Sequence, residues 1–379
     1  MQLIVSTDIN FQVLLDSVGF IQGATLGILL MILNRRKFRS SFFLGLFLLF
    51  FSLELAFFIF INPAISQLFP SLYLLPFYFS WLLFPLFFLY TQQVSILSDN
   101  KSTYWLLYPG IASFLLQLII FCFPYETKQS IYTSRWYGLI VWDFGVYYAW
   151  AIGIWNLRLL YKHRIEVNNS YSYINFKELQ WARLILIYLL ASSVINYILS
   201  WGYATIANYR VILAALDLLA IYLIAYFGIV QRNIHSVSSN LSYADNLPNR
   251  PIKSNVKDAA KGLPEDLNGL VVDIDSYMIA SECFSNPNLT IGDLALVLKV
   301  HPRKISSAIN SVYRQNFNSY VNKFRVKKAV KLLSSKDFEA FTLEGIGNEA
   351  GFHSKSAFYT AFKKETGKTP KNYKMENAA

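Results

Sequence analysis

Apolar positions follow two different patterns along this chain. Up to about residue 230 they form long, nearly unbroken runs. Beyond residue 273 they recur every three or four positions among polar and basic residues. A helix that crosses a bilayer needs about 20 mostly apolar residues. Stretches 13–33, 42–61, 72–90, 104–123, 137–160, 184–203 and 209–230 reach or approach that length. The third contains Pro76 and Pro85, and only residues 204–208 part the last two, so the number of spans is set at about seven. Residues 233–272 then turn polar, with Ser236, Ser238, Ser239 and Asn240 followed by Asn246-Leu247-Pro248-Asn249-Arg250-Pro251. That composition predicts a flexible tether with weak helical character at most. The expected division is therefore 1–232, a membrane domain, 233–272, the tether, and 273–375, a soluble helical domain.

Within the last part, a short helix is expected between Asp275 and Phe284, closed by Asn286-Pro287-Asn288. Thr290 is placed to cap the next helix, with Asp293 as its capping-box partner. That helix, 291–298, would bury Leu294, Ala295 and Leu298, and the turn Val300-His301-Pro302 leads into a second one, 303–313. The second would bury Ile305, Ala308, Ile309 and Val312 while showing Arg303, Lys304, Ser306, Ser307 and Asn310. A short helix, a tight turn and a helix with a polar, basic face is the helix-turn-helix pattern, whose second helix enters the DNA major groove. The arrangement recurs some fifty residues on. Thr342 caps a helix over 343–350, Gly351 supplies the turn, and Ser354 caps a helix over 355–366. Phe352, Phe358 and Phe362 point inward there, while Lys355, Ser356, Tyr359, Thr360 and Lys363 point outward. Residues 318–334 form a connecting helix, long enough to set two recognition helices into successive major grooves about 34 Å apart. The fold class is all-α: a polytopic transmembrane bundle followed by a soluble domain of two helix-turn-helix motifs and a linker helix.

Charge sharpens this division. The chain of 379 residues has a formal net charge of +11, yet only 15% of it is charged, against about 25% for an average soluble domain. Residues 290–379 hold 16 basic and 7 acidic side chains, whereas 233–289 hold 4 and 7. A basic module of that kind suits a polyanion such as double-stranded DNA. Basic residues also orient the membrane part. With the N-terminus outside, Arg35, Arg36, Lys37, Arg39, Lys101, Arg158, Lys162, Arg164, Lys177 and Arg183 lie in inner loops. Only Lys128, Arg135 and Arg210 lie in outer ones. That bias, with an odd number of spans, places the C-terminal domain in the cytoplasm and the protein in the inner membrane.

The residues of the C-terminal part also carry a family likeness. Phe317-Asn318-x-Tyr320-Val321-Asn322-x-x-Arg325-Val326-x-x-Ala329-x-x-Leu332-Leu333 is followed by Ile346-x-x-x-Ala350-Gly351-Phe352-x-x-x-Ser356-x-Phe358-x-x-x-Phe362-Lys363-Lys364-x-x-Gly367-x-Thr369-Pro370. This resembles the AraC-type transcription regulator domain over about a hundred residues, from near Tyr277 to Tyr373. The resemblance implies bipartite, sequence-specific DNA binding, and with it transcriptional control through RNA polymerase. The whole chain resembles the membrane-embedded members of that family. Two departures stand out. Arg314 occupies a place where the family often has glycine, which predicts a different end to the first recognition helix. Gly347 replaces a usual alanine, at a cost of up to ~1 kcal/mol in helix propensity.

Ionisable residues inside expected spans are costly and mark functional sites. Glu54, Asp143 and Asp217 are such residues, with Gln22, Gln117 and Asn196 as weaker ones. Glu54 and Asp217 are the candidate site for a small-molecule signal of unknown identity, with interhelical packing as the equally weighted alternative. Trp105, Trp136, Trp155, Trp181 and Trp201 are read as interfacial anchors. No catalytic motif, cofactor site or metal site is expected, and His301 and His353 are assigned backbone or phosphate contacts. Cys122 and Cys283 form no framework. The sequence thus points to a lipid-embedded DNA-binding regulator and leaves room for a homodimer. The alternative is a transporter or channel with an autoregulatory DNA-binding tail.

Overall fold

A computed structural model describes residues 7–32, 39–97, 103–174, 177–199, 209–244, 267–335 and 341–377. These are helical almost throughout, and among them the only strand-like pairing is one isolated bridge. The chain divides into two compact units, one drawn from Met1–His163 and Leu179–Leu247, the other from Arg164–Glu178 and Pro248–Ala379.

The first unit opens with α1 (Thr7–Ile32), α2 (Arg39–Ile61) and the short α3 (Pro63–Leu68). It continues through α4 (Ser80–Val94), α5 (Tyr108–Phe121), α6 (Tyr125–Thr133) and the single turn α7 (Arg135–Tyr137). A π-helical turn, Gly138–Asp143, joins α7 to α8 (Phe144–Ser170); α9 (Gln180–Ile198) and α10 (Tyr209–Ala244) follow. Among the described residues, six helices are long and apolar enough to cross a membrane: Phe11–Ile32, Ser40–Ile61, Tyr104–Phe121, Arg135–Ser170, Gln180–Ile198 and Tyr209–Gln231. Many of their large apolar side chains face outward, among them Ile21, Leu115, Ile119, Leu184, Ile212 and Leu219. Lipid solvates such a surface and water does not.

Helices α1 and α2 approach closely because α1 presents Gly19, Gly23 and Gly27 at four-residue spacing. A Cβ at Gly27 would lie 2.8 Å from the carbonyl oxygen of Gly45 on α2, so the two backbones touch there. Where burial in lipid supplies no drive to associate, such small-residue contact does, through dispersion. A sequence search for small residues four apart would have found this stripe.

The third expected span takes a different form. Helix α4 has only 15 residues with Pro85 inside, a length of about 22 Å. The residues before it, 73–79, are not helical, although Tyr73, Leu74, Tyr78 and Phe79 are buried. Pro76 lies in this stretch and cannot donate a backbone hydrogen bond. Irregular backbone at membrane depth is tolerated only where protein groups satisfy it. Gln117 of α5 does so: its side-chain oxygen accepts from the Tyr78 amide at 3.2 Å and its nitrogen donates to the Tyr78 carbonyl at 2.9 Å. Gln117 therefore closes a backbone break. Trp181 also departs from expectation, being buried with its ring stacked on Phe227 at 5.4 Å. Trp105, Trp136 and Trp155 are exposed as expected of anchors, and Trp201 lies outside the described residues.

In the second unit, α11 (Leu267–Ser281) precedes α12 (Ile291–Leu298), α13 (Pro302–Tyr313) and α14 (Phe317–Leu333). Then come α15 (Leu343–Glu349), α16 (Lys355–Thr366) and α17 (Pro370–Asn377). Two cores share α14. Ile274, Met278, Leu294, Ile305, Ile309, Phe317, Tyr320 and Val321 build the first. Val326, Ala329, Ile346, Phe352, Phe358 and Phe362 build the second. Of the expected tether, residues 233–244 continue α10 as helix, 267–272 open α11, and 245–266 lie outside the described residues.

Replacing Gln117 by Leu should leave the Tyr78 amide and carbonyl unpaired inside the protein, a loss of about 1–3 kcal/mol for each orphaned group. The check is the unfolding temperature of the full-length protein in detergent. A Gln117→Leu variant that melts with the parent would show that these bonds do not hold the break together.

Candidate nucleic-acid interface

The first helix-turn-helix unit is set by its caps. Thr290 Oγ1 accepts from the Asp293 amide at 3.3 Å, and the Thr290 amide donates to the Asp293 carboxylate at 2.7 Å, completing the expected capping box. Lys299 ends α12 in the left-handed region at φ 54°. His301 then caps α13, its Nδ1 accepting from the Arg303 amide at 3.2 Å, and Pro302 takes the first helical position. His301 therefore makes the backbone contact expected of it. Arg303, Lys304, Ser307 and Asn310 project into solvent along α13, while Ser306 is half-buried and its hydroxyl accepts from the Asn310 amide at 3.3 Å. Ile305, Ala308 and Ile309 are buried as expected, but Val312 is 39% exposed. It faces away from the core, against which the next residue, Tyr313, still packs, so its apolar character does not report burial.

Asp275 of α11 ties this unit together. Its carboxylate accepts from the hydroxyls of Tyr313 on α13 and Tyr320 on α14, the latter at 2.6 Å. That bond to Asp275 pushes the Tyr313 hydroxyl up to about 12. For Tyr320, burial first and the Asp275 bond second push in the same direction.

The second unit repeats the plan. Thr342 accepts from the Gly345 amide at 3.0 Å and Ser354 from the Ala357 amide at 3.3 Å. Lys355, Ser356, Thr360 and Lys363 are exposed on α16. Tyr359 is half-buried, its ring edge-on to Phe358 at 5.7 Å and beneath the Lys355 ammonium at 5.9 Å. Lys364 donates to Ser319 of α14 at 3.2 Å, so it braces the linker. Gly351 is in the left-handed region at φ 97°, and a Cβ there would meet the Phe284 carbonyl oxygen at 2.6 Å. Only glycine meets both demands.

Both family departures acquire a physical meaning. The first recognition helix still ends at Tyr313, because Arg314 itself takes the left-handed position at φ 52°. A non-glycine residue there costs roughly 1–2 kcal/mol. Gly347 is buried with its Cα against the Phe358 ring, where a Cβ would come within 2.9 Å of Cδ1. Its cost in helix propensity is offset by this close packing.

Arg325 belongs to the AraC-like pattern, but nothing in the sequence marked it as a buried charge, or residues 171–173 as part of this domain. Arg325 is 2% exposed, and its Nε and Nη2 donate to the carbonyls of Phe284 at 2.7 Å and Asn286 at 2.9 Å. Burial lowers its pKa to about 10, so it stays charged at neutral pH.

In the first unit, Glu54 is buried and Asp217 half-buried among helices that pack on one another, and Asp217 accepts from the Tyr188 hydroxyl at 2.7 Å. Asp217 lies within electrostatic reach of Glu54 and of Asp16. Asp16 is a buried carboxylate within stretch 13–33 that the reading of spans passed over. Asp143 sits at the end of the π-helical turn, half-buried.

Residues 294–376 match the family model described as a helix-turn-helix domain. The chain thus carries a helix-turn-helix domain and, among its described residues, six N-terminal helices long and apolar enough to cross a membrane. More narrowly, that domain is of the AraC type, which supports a DNA-binding regulator. No curated protein matches the chain. A solved structure from Listeria innocua, described as a protein of unknown function, is 27% identical over 28% of this chain and 96% of its own, at a TM-score of 0.25.

Replacing Arg314 by Gly should stabilise the DNA-binding domain by about 1 kcal/mol, since glycine adopts that backbone without strain. Gly347→Ala should instead destabilise it by on the order of 1 kcal/mol, overpacking at Phe358 outweighing the propensity gain. Denaturant unfolding, followed by tryptophan-independent circular dichroism of the helices, measures both. Loss of stability in the first or gain in the second would contradict the packing described.

Proposed function

We propose that this protein is a one-component transcription regulator embedded in the inner membrane, reading promoter DNA under control of a signal received by its membrane domain. The observation that carries this reading is the presence, in one chain, of two capped helix-turn-helix units and six membrane-capable helices. The basic residues of the inner loops favour an outer N-terminus and a cytoplasmic DNA-binding domain. In this reading helix α4 with the non-helical stretch 73–79 is the seventh crossing which that orientation needs.

At the DNA, Arg303, Ser306, Ser307 and Asn310 of α13 and Lys355, Ser356, Tyr359 and Thr360 of α16 face the major groove. Lys304 and Lys363 grip phosphate. RNA polymerase is the partner that the AraC resemblance implies, and a second copy of the chain is compatible with it. Glu54 and Asp217, joined by Asp16 and Tyr188, are the place where a small-molecule signal would bias the helices. A ligand shifts such an equilibrium only by binding the two states differently. The transporter reading draws support from one feature, the broken stretch before α4, but transporter sites use matching breaks in paired repeats.

Mapping the genomic sites bound by the intact protein should return a bipartite motif with half-sites about 10 base pairs apart. Arg303→Ala should weaken binding to that motif by about 1–3 kcal/mol and relax selectivity in one half-site. Lys363→Ala should weaken all sequences alike and lower the salt slope by about one. Random genomic recovery, or equal effects of the two substitutions on specific and random duplexes, would count against the assignment.

A further inference from the structure

The DNA-binding unit contains a segment that the sequence assigns elsewhere. Arg164–Glu178, the last turns of α8 and the link from it towards α9, belongs to the same compact unit as residues 267–377, although both helices are membrane-capable. Three consecutive residues of this strap touch three parts of the reader. The backbone of Tyr171 pairs with Thr290, the cap of α12. Ser172 is 3% exposed; its amide donates to the Leu289 carbonyl at 3.1 Å and its hydroxyl to the same oxygen at 2.6 Å. From α14, Asn318 donates to the Ser172 carbonyl at 2.7 Å, and Arg325 Nη2 donates to the Ser172 hydroxyl at 3.0 Å. The Tyr173 ring lies flat on His353 at 4.2 Å and 12°, one residue before Ser354, the cap of α16.

This is a specific fit. Ser172 must be small to be buried there, and it must both donate and accept. Arg325 places a charge between the two cores, over the Phe352 ring at 5.8 Å, where every unpaired donor is costly. Phe284, Asn286 and Asn322 occupy part of its guanidinium fork, and Ser172 completes it. Inside the strap, Glu178 accepts from Asn168 at 2.8 Å and pairs with Arg164 at 3.7 Å, which holds the two ends of the loop together. The groove-facing residues of α13 and α16 take no part in any of these bonds.

We propose that Tyr171-Ser172-Tyr173 is the coupling element of the regulator, a strap whose docking holds the two helix-turn-helix units in the relative orientation that DNA requires. It deepens the regulatory reading above and rests on it. Because the strap continues directly into α8 and α9, a shift of those helices changes the strain on Ser172 and Tyr173. Undocked, Arg325 loses both of its hydrogen bonds to Ser172 and Asn318 loses its bond to the Ser172 carbonyl, so the linker helix loses its brace and the two recognition helices their fixed spacing. An element with two arrangements that both sites bias is what allosteric coupling needs.

The test uses the full-length protein in lipid nanodiscs and a duplex that this protein itself selects from a random library. A release variant, Ser172→Pro with Tyr173→Ala, removes the Ser172 amide and the ring stack. A locked variant carries Tyr173→Cys and His353→Cys, joined by a short bismaleimide, with Cys122 and Cys283 replaced by Ser and Ala. Release should weaken binding of the selected duplex at least tenfold and speed amide exchange in residues 317–326. Cross-linking should raise the affinity of the double-cysteine variant at least tenfold over the same variant before cross-linking. If the release variant binds as tightly as the parent or more tightly, or if cross-linking leaves the affinity of the double-cysteine variant unchanged or lowers it, the strap is not the element described. If the parent selects no duplex at all, the DNA-reading function fails first and the coupling with it.

Discussion

A polar group taken out of water must find its partner inside the protein, and this single requirement organises both halves of the molecule. In lipid an unpaired amide costs several kcal/mol, and a buried unpaired charge costs more. At the break before α4 the unpaired backbone belongs to Tyr78, and one side chain from another helix, Gln117, provides both a donor and an acceptor. Between the two helix-turn-helix cores the demanding group is the Arg325 guanidinium. Its partners are collected from the segment before α12, from α14 and from the strap. At these two places the geometry of the hydrogen bonds is prescribed.

The consequence for the reading unit is rigidity at its middle. Helix α14 gives its first half to one core and its second half to the other, so neither motif can turn without disturbing that helix. Gly351 brings the turn of the second motif against the Phe284 backbone of the first, and Lys364 reaches back to Ser319. The spacing of the two motifs is held by a shared helix, a close backbone contact and a buried charge rather than by one extended apolar interface.

Much of this was legible from residue types. Caps at Thr290, Thr342 and Ser354, the turn glycine at 351, and the inward Phe358 and Phe362 all follow local rules of hydrogen bonding and periodicity, and they hold in the structure. Where local rules misled, a neighbour distant in sequence had intervened. Val312 is apolar but faces away from the core on which Tyr313 packs. Gly347 looks like a weak helix residue until Phe358 is seen against its Cα. Trp181 has the position of an interfacial anchor, yet Phe227 covers its ring.

By itself the sequence determined the division into an apolar helical part and a basic two-motif reader, because run length, periodicity and capping are properties of neighbouring residues. It also placed the exposed faces of α13 and α16, since a helix that buries one stripe must show the other. Only the tertiary structure decided that the third apolar stretch is a broken one, that Asp275 joins three helices, and that residues 171–173 belong with the reader. Each of these depends on hydrogen bonds between groups 38 to 153 positions apart. Such pairings leave no periodic trace, because a single serine or glutamine looks the same in a loop, a lipid face or a buried junction until its partner is known.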